Sequence, residues 1–258
     1  MAHLQSFFRY LLRRPQYYWA GLIGILLSTL PVASPGLTLD NPLPFLLASY
    51  SCQNCSRPQG PVTSGGIRGS CSANNSAPLT PLAPEVHVGR TTSSHPTFAW
   101  YIPDTEPFPI EFNLYALEAN GEFRLVHSAP LTSNFRLMSH TLPASEPALQ
   151  TGQRYLWQVL LICDPNLPSS AIDIEAFVDV VAPESATVDE TMEATQLAEQ
   201  GFWYDAMTEA IAEPSDTTWL TLLDDLAQVE LEAGESPPSS RYNHLQLILQ
   251  HEEDPLSE

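Results

Sequence analysis

The sequence predicts an antiparallel β-sandwich of about seven strands followed by a small α-helical region. Three observations carry this. Between Pro84 and Ala182, apolar and polar residues alternate in short runs bounded by turn residues, the period of half-buried strands. Beyond Pro183 the apolar period becomes about 3.6, that of amphipathic helices. The charge changes at the same place: residues 184–258 hold eighteen acids and one base, Arg241, whereas residues 1–183 hold twelve acids and nine bases. A boundary therefore falls near Pro183, and the chain divides into segments 1–34, 35–78, 79–183 and 184–258.

The first segment carries Arg9, Arg13 and Arg14 ahead of an apolar run from Tyr17 to Leu30, closed by Pro31. A basic stretch before a short apolar run has the form of a secretory signal, with Val32, Ala33 and Ser34 as small residues at its end, or of an uncleaved anchor. The run is short for a span of about twenty residues. This reading exports the protein, to the periplasm or beyond the cell, with membrane contact only through the N-terminal segment if it stays uncleaved.

Residues 35–78, rich in Pro, Ser, Gly and Asn, read as an extended lead. Leu46 to Cys52 is no lipidation site, because Ser49 stands where an aliphatic residue is wanted. Gly65-Gly66-Ile67-Arg68-Gly69 has neither a strand before it nor a helix after it, so it is no phosphate cradle.

The four cysteines, Cys52, Cys55, Cys71 and Cys163, admit three pairings. We favour Cys71 with Cys163 and Cys52 with Cys55, since Cys163 ends a strand and can clamp the lead to the domain. Closing a loop of about ninety residues restricts the unfolded chain by about 4–5 kcal/mol. No further Cys or His stands at zinc-finger spacing from Cys52-x-x-Cys55, and no helix follows it as in redox motifs, so neither metal nor cofactor is expected.

Within the β segment a first strand is expected near Glu85–Val88. Thr97–Ile102 follows, stopped by Pro103, and then Ile110–Leu117 with Asn120-Gly121 as a hairpin turn. Phe123–Ser128, Phe135–Leu142, Tyr155–Cys163 and Ile172–Val181 complete the set. Tyr155–Cys163 is apolar on both faces toward its end, the mark of an interior strand covered on each side, and the helical tail is a candidate cover.

Pro96-Thr97-Phe98-Ala99-Trp100 resembles the first core strand of a fibronectin type III-like or immunoglobulin-like module. Leu149-Gln150-Thr151-Gly152-Gln153-Arg154-Tyr155 resembles its Leu-x-Pro-Gly-x-x-Tyr corner, with Thr151 in place of proline. The resemblance implies that Leu149, Gly152 and Tyr155 form a structural corner, with the tyrosine hydroxyl capping backbone.

A wider resemblance rests on Gly65–Cys71, Leu79-Thr80-Pro81-Leu82-Ala83-Pro84-Glu85, Pro96–Pro103, and Tyr155-Leu156-Trp157 with Ile162-Cys163-Asp164-Pro165. These blocks resemble a cyanobacterial family of exported proteins known only as a domain of unknown function. The resemblance implies the Cys71–Cys163 pair and an extracytoplasmic setting, and it supplies no activity.

In the tail, Met192, Ala194, Leu197 and Ala198 lead to Gly201 as a C-cap. Trp203, Ala206, Met207, Ala210 and Ile211 make a stripe ended by Pro214. Trp219, Leu222, Leu223 and Leu226 make another, closed by Gly234, and Tyr242, Leu245, Ile248 and Leu249 mark a short helix after Pro237-Pro238. Leu197–Ala206 resembles the turn between the helices of a tetratricopeptide repeat. A single copy cannot build a solenoid, so it reads as a helical cap.

A net charge of −20 with ten arginines and no lysine excludes nucleic-acid binding, which needs clustered bases, and docking on anionic lipid. No Gly-x-Ser-x-Gly or helical His-x-x-x-His arrangement is present. Asp224 and Asp225 diverge on a helix, Asp216-Thr217-Thr218 lacks calcium-loop ligands, and Glu111 with Glu122 is a glycosidase pair only if the fold unites them. The expectation is a non-catalytic exported protein that binds an unidentified protein or glycan of the envelope. The alternative is a carbohydrate- or peptidoglycan-binding protein, or a carbohydrate-active one, of the envelope, using Trp100, Tyr101 and Trp157; core packing is the plainer role for Trp100 and Trp157.

Overall fold

Eight strands form two sheets in the computed structural model, which describes residues 50–52, 55–58, 70–72, 77–182, 192–212, 217–233 and 240–253. The N-terminal signal or anchor, Gly65–Gly69 and the helix stops at Pro214, Gly234 and Pro237-Pro238 lie outside these residues. β1 (Thr80–Pro81), β3 (Thr97–Ile102) and β6 (Arg136–Thr141) make a three-stranded sheet in that order. The second sheet holds β2 (Gly89–Thr91), β4 (Pro109–Leu117), β5 (Phe123–Thr132), β7 (Arg154–Leu161) and β8 (Ile172–Val180), ordered β2–β8–β7–β4–β5.

Several strand expectations change. The strand expected at Glu85–Val88 begins only at Gly89, because Glu85 and Val86 turn their N–H groups onto the Glu230 carboxylate, at 2.7 and 3.3 Å. That strand then runs parallel to β8, so the larger sheet is not wholly antiparallel. β5 continues past Ser128 through Pro130, which an edge strand tolerates.

β7 is the middle strand of the larger sheet, with Trp157 opposite Leu114 and Val159 opposite Phe112. Across the gap, Phe98 and Trp100 of β3 meet Phe112 and Trp157 with ring centroids 5.4–6.3 Å apart. The sheets thus face each other over one aromatic core, where truncating a ring to alanine costs about 3–5 kcal/mol.

The helical tail covers the outer face of β3, not that of the Tyr155–Cys163 run. All six β3 residues are buried: Phe98 and Trp100 point into the core, and Tyr101, on the other face, bonds His251 Nδ1 at 2.7 Å. His251 belongs to α4 (Ser240–Glu253). The outward Leu156 of β7 packs instead in a small cluster with Val88, Phe177 and Tyr115.

α1 (Ala194–Glu199) ends where Gly201 adopts φ +79°. Its N–H bonds Ala198 O at 2.8 Å and the Phe202 N–H bonds Leu197 O at 3.0 Å, the paired bonds of a Schellman stop. α2 (Trp203–Ala210) then drives into the sheets. Trp203 Nε1 donates to Leu82 O, and the Tyr204 hydroxyl accepts from Trp157 Nε1 and donates to Phe177 O, each at 2.8 Å. Asp205 accepts from Thr91 Oγ1 at 2.5 Å and from Thr92 N at 2.8 Å.

α3 (Thr218–Ala233) and α4 pack together on the β1 side, where buried Arg241 donates to Pro81 O and Ala83 O at 2.5 and 2.7 Å. Sheets and helices share one hydrophobic core. The change of period near Pro183 therefore marks a change of element type inside one core.

Candidate functional site

The corner residues come together. Gly152 takes φ +81° and its N–H bonds Val180 O at 2.7 Å, Leu149 is buried, and the Tyr155 hydroxyl accepts from Gln150 N at 2.9 Å. Cys71 and Cys163 are bonded, with Cα atoms 5.2 Å apart, and Cys52 is bonded to Cys55. The sequence reading missed Asp104, whose carboxylate accepts from Cys71 N at 3.1 Å and Ser72 N at 2.7 Å; an aspartate directly after the strand-stopping Pro103 was its only trace.

The residues proposed for chemistry do not converge. Trp100, Tyr101 and Trp157 are each 0 % exposed, so none can stack on a glycan. Glu111 lies near one end of β4 and Glu122 beyond the other; six residues of strand already separate them by about 20 Å, past the range of glycosidase pairs.

What the fold does assemble is a row across the outer face of the five-stranded sheet. Register sets Leu125 beside Tyr115, Tyr115 beside Leu156, and Leu156 beside Phe177. The cause is a shift in pairing between Leu114 and Tyr115. One extra residue in β5 reverses the facing, so His127 points inward while Leu125 and Phe123 point out. These two are 52 % and 46 % exposed, and Phe123 lies 6.4 Å from the Phe177 ring. No sequence signal marked the bulge.

Acids flank the row. Glu111, Asp173 and Glu175 share the outward face, and Gln158 Nε2 donates to Glu175 at 2.7 Å. Burial raises the Glu175 pKa above the usual carboxylate value, the Asp173 charge adds to this, and the Gln158 bond opposes it. Burial and then the charges of Glu111 and Glu175 raise Tyr115. The face is an apolar ridge beside negative charge, on a sheet whose edge strand β5 is paired on one side only.

Behind β5 lies a cavity of about 260 Å³ lined by Arg124–His127, Leu142, Glu146–Gln150 and Tyr155. His127 in its wall has Glu146 3.5 Å from its Nδ1, and its Nε2 stands 3.0 Å from His140 Nε2.

Fold and site together define a class: a mostly β protein, disulfide-linked and presenting a sheet face, with two sheets and four α-helices among the described residues. The chain belongs to the family described as Domain of Unknown Function (DUF928), whose model matches residues 24–238. No curated protein matches it. Among solved structures it is similar to a lytic polysaccharide monooxygenase important for efficient utilization of chitin in Cellvibrio japonicus. That match has 16% identity, covers 45% of this chain and 73% of the other, and has a TM-score of 0.26, a likeness that carries no argument. No helix among the described residues is long and apolar enough to cross a membrane.

Proposed function

We propose that this is a non-catalytic exported protein-interaction module whose recognition surface is the outer face and β5 edge of the larger sheet. The observation that carries it is the cross-strand row Leu125–Tyr115–Leu156–Phe177 with Phe123 and Leu125 left to solvent. An exposed ten-residue edge strand offers unpaired backbone groups, and a partner strand can add there while its side chains meet the ridge. With a net charge of −20 and Glu111, Asp173 and Glu175 beside the ridge, the partner is an extended polypeptide carrying an apolar side chain next to basic ones. Two disulfides support export, since such bonds persist in oxidising compartments.

The architecture supports an immunoglobulin- or fibronectin III-like sandwich as the finer reading. Its supports are the two-sheet strand order, the parallel β2–β8 edge and a tyrosine corner at Tyr155.

The test uses the full chain. Envelope proteins captured by wild type are compared with those captured by Phe123→Asp/Leu125→Asp, after circular dichroism shows the fold retained. Loss of captured, basic partners that also elute at raised salt is expected. Unchanged capture would remove this surface. Deleting residues 184–258 is the wrong probe, because those helices complete the core.

A further inference from the structure

Cys52 and Cys55 lie beside a histidine that no sequence spacing linked to them. The two Sγ atoms and one ring nitrogen of His87 all fall within 4.8 Å of one another. His87 comes from the turn between β1 and β2, and the structure holds it there from several sides. The Tyr50 hydroxyl bonds its Nε2, the Tyr50 ring stacks on it at 5.4 Å, and the next residue, Val88, donates its N–H to Ser56 O at 2.8 Å.

Ser56, next to Cys55, is held as well. Ser56 Oγ donates to Asp179 at 2.9 Å and is itself bonded by Arg154. Cys52 fits against the α1–α2 turn only because residue 201 is glycine. A Cβ there would stand 2.9 Å from Cys52 Sγ and 2.8 Å from Arg90 Nη2.

We propose that Cys52, Cys55 and His87 form a redox-gated site for one thiophilic metal ion, closed as a disulfide and open as a dithiol. Two thiolates and an imidazole suit zinc(II) or copper(I). Cys-x-x-Cys is common ligand spacing, and three protein ligands leave a coordination position for solvent or another molecule.

The chemistry balances with a dithiol as reductant. The dithiol gives two electrons and two protons to Cys52–Cys55 and becomes a disulfide itself. Zinc(II) then displaces the two thiol protons and binds both sulfurs. Two thiolates cancel the charge of a divalent ion, so Arg90 beside Cys52 does not repel the loaded site, and it favours thiolate in the empty one. The contrast with Cys71–Cys163 is one of loop length. Cys52–Cys55 spans three residues of separation against ninety-two, so it adds little cross-linking and is the pair the fold can open at small loss.

The experiment reduces the full chain with a dithiol, confirms by alkylation and mass mapping which cysteines open, and titrates zinc(II) and, separately, copper(I). One equivalent bound by the reduced wild type, none by the oxidised form or by reduced Cys52→Ser/Cys55→Ser, and at least tenfold weaker binding by His87→Ala are expected; the two arms show which ion is preferred. Binding by the double serine variant, no binding by the reduced wild type, or an unchanged affinity in His87→Ala would overturn the site. Should His87→Ala fail to fold, X-ray absorption of the zinc-loaded wild type decides. Sulfur at about 2.3 Å with nitrogen at about 2.0 Å is expected, and a shell lacking imidazole nitrogen refutes it.

Discussion

At the scale of single residues, polar groups buried at element junctions matter most. His127 and His140 illustrate this. With Nε2 atoms 3.0 Å apart, a charge on His127 opposes a charge on His140. Burial and then the His127 charge lower the His140 pKa below its ordinary 6.5. The fold therefore binds fewer protons here than the unfolded chain, and the stability this contributes is present above pH 6.5 and lost as pH falls below it. Glu175, Asp205 and Glu230 have raised pKa values and act with the opposite sign, losing stability as pH rises from the carboxylate range. The readout must be a difference: urea midpoints of wild type should fall between pH 7 and pH 5 more steeply than those of His140→Gln. Parallel profiles would show that the pair does not couple folding to protons. Neither histidine was legible as a partner of the other, since they lie on strands of different sheets.

At the scale of elements, α2 decides how the helical region meets the sheets. Its stripe of Trp203, Ala206, Met207 and Ala210 was readable from period alone, and all four are buried. Its docking was not, because that depends on Trp203, Tyr204 and Asp205 finding backbone and side-chain partners more than a hundred, or several tens of, residues away. Tyr204→Phe keeps the ring and its contacts but orphans the Trp157 indole N–H and the Phe177 carbonyl. A cost of about 2–4 kcal/mol is expected, measured by urea unfolding; a change within 0.5 kcal/mol, roughly the noise of a neutral surface substitution, would show that the hydroxyl is not the tie. The same logic explains the β5 bulge. Alternation in Phe123–Ser128 indicated a strand, but a one-residue shift reverses which side chains meet solvent, and only the pairing with β4 records that shift.

At the scale of the whole molecule, Cys71–Cys163 ties the lead to the end of β7 across ninety-two residues of separation. Replacing both with alanine removes about 4–5 kcal/mol on the loop-entropy account, or about 10–20 °C in Tm for a chain of this size. Replacing Cys52 and Cys55 removes about 2 kcal/mol at most. Calorimetry of the two double variants distinguishes them; equal losses would mean that Cys52–Cys55 is a structural clamp as well. By itself the sequence determined the element types, the even cysteine count, the corner at Leu149–Tyr155 and the acidity of the tail. Those are properties of local period, turn chemistry and composition, and they need no distant partner. Tertiary structure alone decided the parallel β2–β8 edge, the burial of Trp100, Tyr101 and Trp157, the helices closing over β3, the outward ridge and the approach of His87 to Cys52 and Cys55. Each of these depends on which segments lie next to one another, and that is settled by packing and register between residues far apart in the chain.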